Sequence, residues 1–134
     1  MKSTNIVPDQ WQRFCEDFSR QHRGWLVTTS ILERSSQVPA ADIDESRAHR
    51  TARDLPFGGL SLEPNRRDLM LLLGEGKLHV TEHITDVIRI GLLETDQGAH
   101  AGLRIDKSND TGVLLRFRVA ARPESLDGVA ASER

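Results

Sequence analysis

The hydrophobic period of this chain changes abruptly at Gly24, and this change limits the folds that the chain can adopt. Before Gly24, four residues have the spacing i, i+3, i+4 and i+7 that places them on one face of an α-helix: Trp11, Phe14, Cys15 and Phe18. Pro8 suits the first helical turn, where its missing N–H costs nothing, and Gly24 suits a left-handed C-terminal cap. The pattern predicts a helix from Pro8 to about His22.

After Gly24 the hydrophobic period becomes two. Residues from Trp25 to Leu32 are rich in β-branched and aromatic side chains, which is typical of a strand. Further strand-like segments cover 55–62, 68–73, 78–84 and 87–93, and a hairpin joins 103–105 to 113–119. The sequence therefore predicts an α+β fold, mainly β, with an N-terminal helix packed on a small antiparallel sheet or open barrel of five to six strands.

The length of 134 residues fits a single domain that spans residues 1–134. Two segments lie outside the apolar pattern. Residues 34–53 are polar and mixed in charge, and they predict a mobile insert because they can bury little apolar surface. Residues 121–134 have no hydrophobic periodicity and predict a frayed tail.

The composition of the chain excludes several classes of protein. Cys15 is the only cysteine, which excludes a disulfide scaffold and any zinc site with more than one thiolate ligand. A net charge of −2 excludes a polycation that binds nucleic acid over its whole surface. No apolar run approaches the roughly 20 residues that cross a bilayer, and the first residues do not resemble a signal peptide. We expect a cytoplasmic protein with no membrane partner.

Several short segments, spread in order over nearly the whole chain, resemble a known family. Those in the first half are Trp11, Phe14, Phe18-Ser19-Arg20, residues 22–28 (HRGWLVT) and residues 52–56 (ARDLP). Those in the second half are Thr81, His83-Ile84, Glu94-Thr95, Gly98-Ala99-His100, residues 114–118 (LLRFR), Pro123-Glu124 and Leu126-Asp127-Gly128. This pattern is similar to a bacterial family of uncharacterised small proteins, the domain of unknown function 5335. The resemblance implies one intact domain and implies no activity, cofactor or catalytic residue.

Two groups of side chains are candidates for binding. Arg104, Arg116 and Arg118 can share one face of the predicted hairpin and form a basic strip that holds phosphate groups. His83 and His100 are candidates for acid–base chemistry, because an unperturbed imidazole titrates at about pH 6.5. We assign no catalytic residue, no cofactor and no metal site.

Three functions are open at this point. The first is a non-enzymatic interaction or accessory module that binds a second copy or another protein through an edge strand. The second is a small nucleic-acid-binding barrel that uses the basic strand face. The third is a small-ligand binder or enzyme with a pocket that contains His83 and His100.

Overall fold

The computed structural model describes residues 2–38 and 48–121. Within these residues it contains one α-helix and eight strands. In chain order the elements are β1 (Lys2–Ile6), α1 (Trp11–His22), β2 (Leu26–Glu33), β3 (Ala48–Leu62), β4 (Leu69–Glu75), β5 (Leu78–Ile84), β6 (Val87–Glu94), β7 (His100–Lys107) and β8 (Thr111–Ala121). Two short 3-10 turns, Pro8–Gln10 and Ser35–Gln37, precede α1 and follow β2.

The strands form one open antiparallel sheet in the order β1-β6-β7-β8-β2-β3-β4-β5. This confirms the α+β, mainly β class with an N-terminal helix on an antiparallel sheet. The predicted number of five to six strands is wrong, because the sheet has eight. Strand β1 is not among the predicted strands. Ile6 is its only apolar residue, so its sequence shows no alternation of apolar and polar residues.

The helix forms where the 3.6-residue period predicts it, and its apolar face is buried. Trp11, Cys15 and Phe18 are all at most 4% exposed. The prediction that the helix begins at Pro8 holds only in part, because the first turn is a 3-10 turn and α1 starts at Trp11. No helix in the described residues is long and apolar enough to cross a membrane.

The core lies between α1 and one face of the curled sheet. Residues of seven strands, β2 to β8, contribute to it, mostly at alternate positions as the period of two predicts. The buried residues of this core on the sheet are Val27, Phe57, Leu60, Leu69, Leu71, Leu73, Ile84, Val87, Ile90, Leu103, Ile105, Val113, Leu115 and Phe117. The other face of the sheet has a smaller buried apolar cluster of Leu32, Leu93, Ala101 and Leu114.

Strand β3 is long and changes its pairing along its length. Its first part pairs with β2 as far as Pro56, and its second part pairs with β4 from Phe57 onward. A register shift lies between Phe57 and Gly59. Gly58 and Gly59 therefore lie at an irregularity of the strand, where glycine is common.

The predicted mobile insert, residues 34–53, overlaps with regular structure in its C-terminal part. Strand β3 already begins at Ala48, and residues 48–53 pair with β2, for example Ile31 with His49. Polar side chains do not prevent this pairing, because the backbone forms the hydrogen bonds and the exposed side chains stay in water. Residues 39–47 of the insert, and residues 122–134 of the predicted tail, lie outside the described residues.

Candidate functional site

Arg104 projects from the face of the sheet opposite the main core, but it does not present its charge to solvent. It is 8% exposed. Its Nε donates to Asp106 Oδ1 at 3.1 Å, and its two Nη atoms donate to the backbone carbonyls of Ser35 and Val38. The guanidinium of Arg104 therefore holds the segment that follows β2 against the sheet.

Asp106 joins Arg104 to a second arginine. Arg89 Nη1 donates to Asp106 Oδ2 at 3.2 Å, and the register pairs Arg89 with Asp106 across β6 and β7. The Asp106 side chain is 5% exposed, whereas the Arg89 side chain is 53% exposed. One buried carboxylate is thus shared by a buried and a half-exposed guanidinium, and the three groups together carry a formal charge of about +1.

The three arginines of the predicted basic strip do not form a continuous exposed surface. Arg118 is exposed and Arg116 is partly buried, whereas Arg104 is buried. In the register, Leu114 lies opposite Arg104, and Arg116 lies opposite Gly102. Arg116 is therefore a diagonal neighbour of Arg104 on this face, and it is the burial of the Arg104 guanidinium that interrupts the basic strip. The interruption could not be predicted, because the register and the distant carbonyl partners of Arg104 are set by the tertiary fold.

His100 contacts His22, a buried histidine that is not among the predicted site residues. His22 Nδ1 lies 2.8 Å from the carbonyl oxygen of Phe18, and His22 Nε2 lies 3.1 Å from His100 Nδ1. A carbonyl can only accept, so Nδ1 of His22 carries a proton, and Nε2 of a neutral His22 accepts from His100 Nδ1. The signal was present in the sequence, since His22 continues the α1 stripe four residues after Phe18.

The surroundings of this histidine pair are apolar. The ring of His22 is fully buried and packs against Phe18, Trp25 and Phe117. Burial lowers the pKa of His100 from its ordinary value of 6.5, and the nearby charge of Glu94 opposes this effect. The pair is therefore a hydrogen-bonded element of the core with one partly exposed member.

His83 lies in a different place from His100. It lines a cavity of about 320 Å³ together with Ile31 and Val113, and His100 is not among the lining residues. His83 and His100 therefore do not line this cavity together, and a role of either histidine in acid–base chemistry stays a prediction. Among residues 2–38 and 48–121, no group of three His, Cys, Asp or Glu side chains could hold a metal ion.

Burial determines the protonation of Cys15, the single cysteine of the chain. Cys15 is 1% exposed on the apolar face of α1. Burial, assisted by the charge of Glu16, raises the pKa of the Cys15 thiol to about 12. Since the thiolate is the nucleophilic form, this side chain acts as a small core residue.

The sheet has two edge strands, and they differ in chemistry. In β1, four of the five residues are polar, and Thr4 donates to Glu94 at 2.9 Å. In β5, Leu78 is 78% exposed and Val80 is 38% exposed, on the same side of the strand as the buried Ile84. The sequence of β5 contains no proline and no lysine, the residues that usually protect an edge. Within the described residues, strand β5 is therefore an edge strand with exposed apolar side chains, and Glu82 is its only acidic residue.

No protein-family model, no curated protein and no solved structure matches this chain. The resemblance to the domain of unknown function 5335 stays a prediction.

Proposed function

We propose that this protein is a non-enzymatic interaction module that pairs with a second copy of itself through the edge of β5. The observation that carries the proposal is the exposure of Leu78 and Val80 on an edge strand. In the described part of the chain, β5 has a neighbouring strand, β4, on one side only. Every second residue of β5 then directs its backbone N–H and C=O groups away from β4, where another strand can bind them.

The sequence of β5 favours pairing with itself. Two copies related by a two-fold axis meet in antiparallel orientation, so that the same side chains are contributed by both sides. With the axis near His79 and Val80, the exposed Leu78 and Val80 of one copy contact those of the other. Glu82 is the only acidic residue of the strand and lies toward its far end, so that this arrangement keeps the two Glu82 carboxylates apart. Pairing would remove apolar surface from water and join the two sheets into one.

The test is the oligomeric state in solution, measured by sedimentation velocity or by light scattering over a range of concentrations. We expect the unmodified protein to dimerise, and we expect Val80→Lys to weaken the dimer by about tenfold or more, because the change acts twice across a two-fold interface. Lysine on an edge strand opposes pairing with another strand.

The matched control is Ile88→Lys. Ile88 is an exposed β-branched residue, 55% exposed against 38% for Val80, and it lies on β6, away from the β5 edge in the strand order. This variant should dimerise as the unmodified protein does. A strictly monomeric unmodified protein at high concentration would overturn the proposal, and so would equal weakening by both variants. Thermal melts of the three proteins establish that each one is folded.

A further inference from the structure

A polar cavity of about 340 Å³ lies on the outer face of the sheet, where β1, β6 and β7 are neighbours. Gly91 is one of its lining residues. The register places Asn5, Gly91 and Arg104 side by side across the three strands. Because Gly91 has no side chain, a hollow is left in this row between the amide of Asn5 and the guanidinium of Arg104.

The absence of a side chain at position 91 leaves the space of the cavity open. Gly91 has no left-handed backbone conformation that would require glycine. A Cβ atom at this position would lie 2.5 Å from Ser3 Oγ and 3.6 Å from Asn5 Oδ1. A side chain here would therefore displace Ser3 and fill the floor of the cavity.

The walls of the cavity are polar and carry an excess of positive charge. Arg89 and Arg104 contribute two guanidiniums, and Asp106 contributes one carboxylate. Arg104 and Asp106 are largely fixed by their mutual hydrogen bond and by the Ser35 and Val38 carbonyls. Within the described residues, Arg89 donates only to Asp106, through Nη1, so that its other N–H groups are available on the half-exposed side of the cavity.

We infer that this cavity binds a small hydroxylated oxyanion, either a phosphate ester or a carboxylate. The charge of about +1 is balanced by one anionic group, which the free N–H groups of Arg89 bind by charge-assisted hydrogen bonds. The hydroxyl group of Ser3 and the amide of Asn5 match the hydroxyl groups of such a ligand. Because Arg104 is held from behind by backbone carbonyls, the positive wall is already formed before the ligand arrives, which lowers the cost of binding.

The probes are inorganic phosphate, glycerol 3-phosphate and glycerate, each titrated into the full chain and followed by amide NMR shifts and by calorimetry. We expect saturable shifts at Ser3, Asn5 and Gly91, with glycerol 3-phosphate or glycerate tighter than inorganic phosphate. The tighter of these two organic probes identifies the anionic group as phosphate or carboxylate. If none of the three probes saturates, and the binding of all three weakens in parallel as salt is added, the attraction is unspecific. This result would overturn the inference.

Two variants test the two features that define the cavity. Arg89→Gln should weaken binding by about tenfold, because it removes a charged donor that faces the ligand. Gly91→Val should abolish binding by filling the hollow, and a melt of each variant reports whether it is folded. Arg118→Gln is the matched control, since it removes an exposed arginine on β8 outside the cavity and should leave the affinity unchanged. Equal losses in Arg89→Gln and Arg118→Gln, or unchanged binding in Arg89→Gln, would contradict the inference.

Discussion

Ser19 is the residue by which α1 is fastened to the sheet. Its Oγ donates to the carbonyl of Leu60 at 2.9 Å and accepts from the N–H of Leu60 at 2.8 Å. The pairing of β3 with β2 ends at Pro56, so that within residues 2–38 and 48–121 Leu60 has no strand partner on this side. The helix hydroxyl takes the place of that missing strand, because buried backbone groups need hydrogen-bond partners.

Removal of the Ser19 hydroxyl should therefore destabilise the protein by more than a surface change. We expect Ser19→Ala to lower the free energy of unfolding by about 1–3 kcal/mol, since both polar groups of Leu60 lose their partner in a buried place. Ser61→Ala, at an exposed position of the same strand, should change it by less than about 0.5 kcal/mol. Urea unfolding of the two variants measures the difference, and equal values would show that the Ser19 bonds contribute nothing.

At the scale of elements, the segment after β2 is held to the sheet by two separate anchors. Arg104 binds the carbonyls of Ser35 and Val38, while the Asp110 side chain accepts the N–H of Ser36 at 2.8 Å. Hydrogen bonds from the side chain and the backbone of Ser36 lower the pKa of Asp110 below its usual 3.8. The 3-10 turn is therefore ordered by polar contacts rather than by apolar burial.

Methionine at position 104 would remove the hydrogen bonds of Arg104 and keep a long side chain of roughly similar volume. Arg104→Met should lower the stability by about 3 kcal/mol, because Asp106 stays buried with one of its two cationic partners gone. In Arg104→Met, the backbone amide hydrogens of residues 35–38, relative to those of α1, should exchange with deuterium faster than in the unmodified protein. Arg118→Met, at an exposed position, should change neither quantity. Uniformly faster exchange across the whole chain would show that Arg104 stabilises the fold without holding this segment.

The elements that sequence patterns could predict are those whose side chains alternate in contact with the core. Helix α1 and the β7–β8 hairpin belong to this class, since Phe18, Ile105 and Val113 are buried where the periods predict. Strand β1 and the start of β3 are polar and form through backbone pairing, which leaves no apolar pattern. The position of Arg104 depends on carbonyl groups nearly seventy positions away, and no local pattern contains that information.

At the scale of the whole molecule, the two faces of the sheet differ in the side chains that they bury. The inner face and α1 enclose the large apolar core, and the outer face has the smaller apolar cluster beside the Arg104 and Asp106 pair. The β5 edge and the Gly91 cavity lie on different strands, so that the proposed self-association and the proposed anion binding would use separate surfaces. Variants at Val80 and at Arg89 should therefore have independent effects.

The stability of the whole molecule should fall as the solution is acidified from about pH 6.5. Burial lowers the pKa of His100 in the folded state, whereas in the unfolded chain it has its ordinary value of 6.5. Between these two values the unfolded chain binds more protons, so that stability decreases as pH falls through this window and is fully retained above it. Asp68 and Asp110 have lowered pKa values, and their contribution is lost only at a lower pH, from about their usual 3.8 downward.

The contribution of His100 is separated from other effects by urea unfolding between about pH 7.5 and pH 5 at one protein concentration. His100→Gln retains an amide that can donate to His22 but does not titrate, so its stability should vary less steeply with pH than that of the unmodified protein. His49→Gln, at an exposed position of β3, should retain the original slope. An unchanged slope in His100→Gln would show that another group binds the protons that destabilise the fold in weak acid.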